Sequence, residues 1–524
     1  MCAILVVGCN GSQPEMRAQP PETSFSSVDR CRELPELVRR VRRGHVARLS
    51  PDIALIPREP NYIGSAASPV HSGPWDYLAH VPLLLYGPSH IEPGRYSTPV
   101  DMADLAPTQA ELVGFRLRNS DGESLVESLS SDAPAPRLVV TVVWDGGGDN
   151  MLDVHRDSWP FLSELSRRGA WFTDMAIGSS PSVTPPIHAT LATGVYPRRH
   201  GIPGLRIRTS TNEYLDPVLA LDPSNLRVPT LADLYDQAEG NRVVAGMLAA
   251  DNWHLTMIGH GSAYSGGDRD IAVLFDEDGV TYTNQEIYAF PAIESADAYQ
   301  KEIAELDAAD GSQDETWRDH DLADPLVRAS SPAQVAYQGY LLRRLIESER
   351  FGQDQVPDLL YVNFKPSDDA GHRWGLKSPE VGLTLAAQDS ELESLVGYLD
   401  RIVGRGRWVL MLTADHGFTP YPDESGAWPI GGGELARDTN EALDRTPDGI
   451  DLIDRVSSPG AYVNRDQLSL NDLTLREVAG WMADYTVEQN LKEGEEPPER
   501  FEDRETELLF DAAVVGGETI SSSC

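Results

Sequence analysis

The chain has 524 residues, enough to bury one large α/β core or two to three smaller ones. Its 43 basic and 82 acidic residues give a formal net charge of -39, which repels nucleic acid polymers and anionic membrane surfaces. The same charge repels small phosphates, so a phosphate site here needs local positive charge from metal ions, arginine or a helix N-terminus. No apolar run is long enough to span a bilayer.

Residues 1–29 are predicted to form an export segment and a tether. The apolar run Ala3–Val7 leads to Cys9 and resembles a bacterial lipobox, although the usual preceding basic residues are missing. This predicts a truncated lipoprotein signal, with a lipid anchor at Cys9 and a periplasmic or cell-surface location; the alternative is that the segment is only an apolar tail. Four cysteines are too few for a disulfide scaffold, and Cys31 and Cys524 are candidates for one pair in an oxidising compartment.

Helical and strand patterns alternate along most of the remaining chain. After a helix from Val28, short strands are predicted at 52–57 and 81–87. Four longer apolar runs, at 138–144, 242–248, 357–364 and 408–415, are typical of buried parallel strands with helices between them. The pattern predicts a doubly wound, mostly parallel central sheet flanked by helices, with an acidic cap inserted at about 250–330.

Carboxylates follow three of these predicted strands. Asp145, Asp368 and Asp415 each lie at or just past a strand end, where sites gather in such sheets. His372 and His416 lie close to the last two. Asp and His are suitable ligands for Zn²⁺, and two such ions can act together on a phosphoryl group. A single strand-end Asp is usually a turn or cap residue, but three together predict a metal site.

Thr184 is followed by Pro185 and a helical pattern, which predicts a helix beginning with a threonine N-cap. Such a start directs backbone N–H groups and the positive end of the helix dipole toward its surroundings, so a hydroxyl there is suited to attack on a phosphoryl group. The alternative is an ordinary capping threonine.

Four motifs carry a family resemblance: VVWDGGG, SSPSVTPPIHATLATGVYPRRHGI, DDAGHRWG and TADHGF. As an ordered set they resemble the alkaline phosphatase superfamily, most closely its type I phosphodiesterase/nucleotide pyrophosphatase branch. The resemblance implies an alkaline-phosphatase-like fold and two zinc ions, with other divalent metals as alternatives. It implies that Thr184 is the nucleophile and forms a phospho-threonine. It assigns Asp145, Thr184, Asp415 and His416 to one zinc, and Asp368 and His372 to the other, with Asp369 as an alternative to Asp368.

The family needs one more histidine on the second zinc, and no histidine follows His416. Residues 70–114 resemble the family's C-terminal segment, which supplies that ligand, so we predict a circular permutation with His71 as the missing ligand. His80 and His90 are the competitors. Residues 30–135 would then complete a core formed by 136–524, which is feasible because chain termini often lie close together. His188, His200 and His260 are expected to be structural or to support the ligands.

Two departures from the family bear on the substrate. Leu205 stands where the family has an asparagine that touches phosphate, and Arg206 or Arg208 are candidates to replace it. The Lys-x-Arg pair of one monoesterase branch is missing, which favours diesters. The leading prediction is a metal-dependent phosphodiesterase/nucleotide pyrophosphatase-type hydrolase of small phosphorylated substrates. The alternatives are a phosphomonoesterase, a phosphonoacetate-type hydrolase, a headgroup transferase, and a non-catalytic surface lipoprotein.

Overall fold

A computed structural model describes residues 27–491, 498–516 and 518–520 of the chain. The predicted lipid anchor at Cys9 and the predicted partner Cys524 lie outside these residues, so both stay predictions. Among the described residues, no helix combines the length and the apolar character needed to cross a membrane.

The described residues form strands in six sheets. In chain order the strands are β1 Ile53–Pro57, β2 Tyr62–Ile63, β3 Leu83–Tyr86, β4 Gly94–Tyr96, β5 Val100–Asp101, β6 Leu138–Trp144, β7 Ala170–Phe172, β8 Met175–Ala176, β9 Ile207–Arg208, β10 Tyr214–Leu215, β11 Ala245–Ala249, β12 Ile271–Phe275, β13 Thr281–Tyr282, β14 Thr316–Trp317, β15 His320–Asp321, β16 Asp358–Phe364, β17 Trp408–Thr413, β18 Pro429–Ile430, β19 Ile453–Ser457, β20 Gly460–Val463, β21 Phe510–Val515 and β22 Glu518–Ile520.

The α-helices of the described residues lie mainly between these strands. They are α1 Ser27–Gly44, α2 Asp76–Ala79, α3 Leu105–Leu112, α4 Asp149–Val154, α5 Pro160–Leu165, α6 Thr184–Thr193, α7 Pro197–His200, α8 Leu231–Ala238, α9 Ala296–Asp307, α10 Pro325–Ala329, α11 Pro332–Ser348, α12 Pro366–Trp374, α13 Pro379–Leu399, α14 Pro422–Ser425, α15 Gly432–Leu443, α16 Arg465–Leu470 and α17 Leu475–Ala483.

The central sheet has nine strands in the order β13-β12-β11-β16-β6-β17-β3-β7-β4. Strands β12, β11, β16, β6 and β17 are parallel to one another, whereas β3 is antiparallel to both of its neighbours. Alternate residues of β6 enter different hydrophobic clusters, since Val139 and Val143 join one and Val140 and Val142 the other. Both faces of the sheet are therefore covered, and the predicted mostly parallel α/β fold is confirmed.

A second, antiparallel sheet has the strand order β19-β20-β1-β21-β22. Its strand β1 comes from the N-terminal part of the chain and pairs with β20 and β21. Strands β3 and β4, from the same part of the chain, belong instead to the central sheet. Residues from about 50 to 100 thus complete both sheets.

The predicted insertion at 250–330 needs a correction, because β12 lies within it. Residues Ile271–Phe275 are fully buried and pair in parallel with β11, so this stretch belongs to the central sheet. The five apolar residues of β12 lie between acidic residues in the sequence, so the local pattern did not indicate a strand. The helix at Thr184 also differs slightly from the prediction: Thr184 is the first residue of α6, and Val183 takes the N-cap position.

Candidate active site

Three neighbouring strands bring the predicted carboxylates together. Strand β6 lies between β16 and β17, and all three run in the same direction, so their carboxyl ends meet at one edge of the sheet. Asp145 follows β6 directly, Asp415 lies two residues after β17, and Asp368 lies in the first turn of α12. All three are buried, with 0%, 0% and 1% of their surface exposed.

We call Asp145, Asp415 and His416 the first ligand set, a candidate metal site. His416 Nε2 lies 3.5 Å from Asp145 Oδ1 and 3.5 Å from Asp415 Oδ2. The far oxygens of both carboxylates are held by neighbours: Asn363 Nδ2 donates to Asp145 Oδ2 at 3.1 Å, and the Gly146 N–H donates to Asp415 Oδ1 at 3.1 Å. Each carboxylate therefore keeps one oxygen directed toward His416.

Gly146 is needed at this point for its conformation and its small size. Its φ of +67° lies in the left-handed region, and a Cβ there would come within 3.0 Å of Asp368 Oδ1. The sequence Asp145-Gly146 thus lets the two neighbouring strand ends approach each other.

The second ligand set contains His71, Asp368 and His372. Asp368 Oδ1 lies 3.7 Å from His71 Nε2 and 3.5 Å from His372 Nε2. His71 Nδ1 is 2.7 Å from the carbonyl oxygen of Ser182, so it donates a hydrogen bond there and leaves the Nε2 lone pair free. Its ring also stacks on His416, with ring centroids 3.6 Å apart. The structure thus brings His71 beside both predicted sets.

The two competing histidines lie elsewhere. His80 Nε2 lies 3.6 Å from Asp174, and one third of its side chain is exposed. His90 Nε2 donates to the Pro134 carbonyl oxygen at 3.0 Å. Neither contacts the strand-end carboxylates.

These two sets fit divalent metal ions. Five of their buried atoms have no hydrogen-bond partner among the described residues: His372 Nδ1, and the four atoms that face other members of the sets, namely Asp145 Oδ1, Asp368 Oδ1, Asp415 Oδ2 and His416 Nε2. Buried polar atoms without partners are costly, and a bound cation would satisfy them. Zinc bonds of about 2.0–2.1 Å at tetrahedral angles place ligand atoms about 3.3 Å apart. The observed separations of 3.5 to 3.7 Å come close to that value.

Burial and charge set the protonation of these groups. Burial and the neighbouring His416 hold the pKa of His71 well below its usual value, and burial likewise lowers the pKa of His372. Burial alone would raise the pKa of Asp368, but the Lys365 ammonium and the two histidines hold it well below its usual range. Neutral imidazoles beside an ionised carboxylate are the forms that bind metal.

Lys365 is a site residue that sequence reasoning missed. It follows β16 directly, and Nζ donates to Asp368 Oδ2 at 2.7 Å and lies 3.6 Å from Asp145 Oδ1. Burial disfavours its charge, but Asp145 and Asp368 hold its pKa well above the usual value. Its position three residues before Asp368 was the available signal, since that spacing places two side chains on one helix face.

A buried histidine pair supports the first ligand set. The Nδ1 atoms of His188 and His254 lie 3.2 Å apart. His188 Nε2 lies 3.5 Å from Asp415 Oδ2, and His254 Nε2 lies 3.9 Å from Asp145 Oδ2. The sequence predicted a supporting role for His188 and missed His254, which no local motif distinguishes.

Thr184 lies at the edge of the same site. It begins α6 and lines a cavity of about 720 Å³ whose wall also includes His71, Lys365, Asp368 and His372. The next two residues of the helix are prolines, which have no amide hydrogen. The helix start therefore offers fewer N–H groups than expected, and charge for a phosphate must come mainly from elsewhere.

The two candidate arginines differ in their position relative to the cavity. Arg206 lines the cavity, as does Leu205. Arg208 does not, which corrects the prediction: its guanidinium makes two hydrogen bonds to Asp52, at 2.8 and 3.2 Å, and lies over the Tyr462 ring. This long-range ion pair holds Arg208 away from the cavity.

Comparisons with known proteins bear on the family and the fold of the chain. The family model for "Type I phosphodiesterase / nucleotide pyrophosphatase" matches residues 139–496. Alkaline phosphatase PhoD of Zymomonas mobilis is 25% identical over 362 residues, which cover 63% of this chain and 61% of that protein. Alkaline phosphatase PhoV of Synechococcus elongatus is 35% identical over 96 residues, or 18% of each chain.

The chain spans less than two thirds of the length of the curated relatives it matches. The crystal structure of wild-type alkaline phosphatase PafA superimposes with a TM-score of 0.53 at 20% identity, covering 67% of this chain and 77% of that one. This shows a shared fold. Because the family model covers more than half of its length, the chain belongs to the type I phosphodiesterase/nucleotide pyrophosphatase family.

Proposed function

We propose that the protein hydrolyses phosphoric esters, with Thr184 as the nucleophile and a phospho-threonine intermediate. One observation carries the proposal: Thr184 begins a helix in the cavity that is also lined by Asp368, His372 and His71. Two sets of metal-type ligands and a hydroxyl at one sheet edge suit displacement at phosphorus. A binding protein needs no hydroxyl there.

We propose zinc as the metal, because each set combines carboxylate and imidazole donors. His71, Asp368 and His372, whose ligand atoms lie within 4.8 Å of one another, would hold one ion. Asp145, Asp415 and His416, together with Thr184, would hold the other. Two divalent cations, when bound there, would stabilise negative charge on the attacking and leaving oxygens.

The chain's own residues then perform the remaining tasks. The bond between Thr184 Oγ1 and phosphorus forms as the bond from phosphorus to the leaving oxygen breaks, and the proton that the hydroxyl loses goes to the leaving group or to solvent. Water next attacks phosphorus, breaks the Oγ1–P bond and restores the hydroxyl. His71 positions the segment of the nucleophile, because its Nδ1 holds the Ser182 carbonyl two residues before Thr184.

We also propose that the chain is a circular permutation of its family. Support comes from His71, which lies beside Asp368 although it precedes the nucleophile in sequence. The early strand β3 pairs with β17 in the central sheet, and β1 pairs with β21 near the other end of the chain. The periplasmic or cell-surface location stays a prediction from residues 1–29.

The proposal is tested by metal analysis and by turnover of p-nitrophenyl phosphate and bis-p-nitrophenyl phosphate. We expect two zinc ions per chain, and a Thr184→Ala variant that loses turnover of either substrate by on the order of a thousandfold or more. The surface variant Thr211→Ala, also a threonine-to-alanine change, should match the wild type. Undiminished turnover in Thr184→Ala would contradict the proposal.

A further inference from the structure

Lys365 lies at the junction of the two ligand sets. Its ammonium contacts Asp368, which belongs to one set, and lies 3.6 Å from Asp145, which belongs to the other. The residue is 8% exposed, and its side chain forms part of the wall of the cavity that Thr184 also lines. A cation at this point adjoins the place where two metal ions would hold a phosphoryl group.

Lys365 and a metal ion can share Asp368 without competing for the same atom. The ammonium binds Oδ2, whereas Oδ1 faces His71 and His372 and has no hydrogen-bond partner among the described residues. Metal binding at Oδ1 therefore leaves the lysine in place. A cation bound at Oδ1 would also weaken the attraction between Asp368 and the ammonium, because it would neutralise the carboxylate.

The other cationic side chains that line the cavity, Arg206 and Arg455, form no ion pair with a carboxylate of either ligand set among the described residues. The carboxyl groups of Asp369 and Asp251 also lie near the Lys365 ammonium. Arg455 lines the cavity with its guanidinium over the Tyr214 ring, 5.4 Å from the ring centroid. Among the described residues, only Lys365 joins a cationic side chain to carboxylates of both ligand sets.

We propose that Lys365 binds the substrate's phosphoryl oxygens and gives the site a preference for phosphate monoesters over diesters. This inference rests on the proposed hydrolase function. A monoester carries about two negative charges above neutral pH, whereas a diester carries one. A fixed positive charge attracts the doubly charged group about twice as strongly at equal distance. The chain has a net charge of -39, and the two prolines at the start of α6 offer no N–H groups to a phosphate. Few other positive groups are therefore available to bind the phosphoryl oxygens.

The test compares Lys365→Met, which removes the charge, with Lys365→Arg, which keeps it. Both zinc-loaded variants are assayed on p-nitrophenyl phosphate and bis-p-nitrophenyl phosphate at about pH 8, where the monoester is a dianion. For Lys365→Met we expect kcat/KM to fall roughly a hundredfold on the monoester and less than about tenfold on the diester. Lys365→Arg should keep the monoester preference. Lys377, whose side chain is 53% exposed, gives the matched control Lys377→Met, expected to equal wild type.

A binding measurement separates substrate contact from catalysis. Inorganic phosphate is titrated by calorimetry into zinc-loaded Thr184→Ala, with and without Lys365→Met. We expect the second change to raise the dissociation constant tenfold or more, with zinc content unchanged. Three results would overturn the inference: unchanged phosphate affinity, an equal loss of kcat/KM on both esters, or loss of zinc. Each would mean that the lysine only holds the carboxylates in place. Such results leave the proposed function intact as long as Thr184→Ala abolishes turnover.

Discussion

On the proposed assignment, replacing His71 by alanine removes one of three protein ligands from the second set. The histidine lies in a segment that precedes Thr184, and its Nε2 is 3.7 Å from Asp368 Oδ1. Its Nδ1 is occupied by the Ser182 carbonyl, so Nε2 is the atom left for a metal. Alanine would leave Asp368 and His372 as the only two protein ligands of this ion.

The size of the effect follows from this ligand count. Even residues that only orient a ligand change metal affinity or activity by about 10- to 100-fold, so loss of a ligand should cost at least the upper value. We therefore expect a kcat/KM lower by roughly a hundredfold, which equals about 2.7 kcal/mol of transition-state stabilisation. One zinc ion per chain should also be lost.

Zinc content is measured by inductively coupled plasma mass spectrometry after gel filtration, alongside turnover of p-nitrophenyl phosphate. His80→Ala is the matched control, because His80 is partly exposed and contacts Asp174 instead of the site. The control should retain both zinc ions and full turnover. Unchanged zinc content in His71→Ala would refute the assignment of His71 and, with it, the argument for permutation.

Three further predictions concern individual ion pairs and carboxylates. Asp368→Asn should lose zinc and lower kcat/KM roughly a hundredfold or more, because Asp368 faces His71 and His372. Asp369→Asn, which does not change a group facing these histidines, should keep both zinc ions and stay within about tenfold of wild-type kcat/KM. Equal zinc loss in the two variants would contradict this prediction. Burial disfavours the charged form of His260, but the Asp233 carboxylate, 2.8 Å from its Nδ1, raises the pKa of the imidazole above 6.5. The stability that this ion pair contributes is fully present below about pH 6.5, and it is lost as the pH rises through the raised pKa of His260. The difference in Tm between wild type and His260→Gln should therefore be larger at about pH 6 than at about pH 9, and equal differences would argue against the pair. Asp52→Asn should lower the free energy of unfolding, measured in urea, by about 3 kcal/mol, because it leaves the buried Arg208 guanidinium without its carboxylate partner. A loss under about 1 kcal/mol would show that the ion pair contributes little to stability.

Features that depend on neighbouring residues in sequence were the predictable ones. The seven-residue run Leu138–Trp144 is apolar except for Thr141 and is followed by Asp145, so both the strand and the carboxylate at its end follow from the local pattern. The same holds for Asp415 after β17. Because the strands are parallel, their ends had to meet at one sheet edge.

Features that depend on distant residues were not predictable in this way. Strand β12 is buried by packing against β11, although its sequence neighbours are acidic. Arg208 is held by Asp52, 156 residues away, and no local pattern indicates this. Lys365 reaches Asp145 only because β16 and β6 are adjacent. The position of His71 came from a family resemblance, since nothing in its own surroundings distinguishes it from His80.

The most direct test of the central claim is to trap the covalent intermediate. The zinc-loaded protein is mixed with p-nitrophenyl phosphate, quenched in acid within one turnover and digested for peptide mass spectrometry. We predict one added phosphoryl group per chain, located at Thr184 and missing from Thr184→Ala. Full turnover with no phosphorylated Thr184, or a phosphoryl group at another residue, would contradict the account.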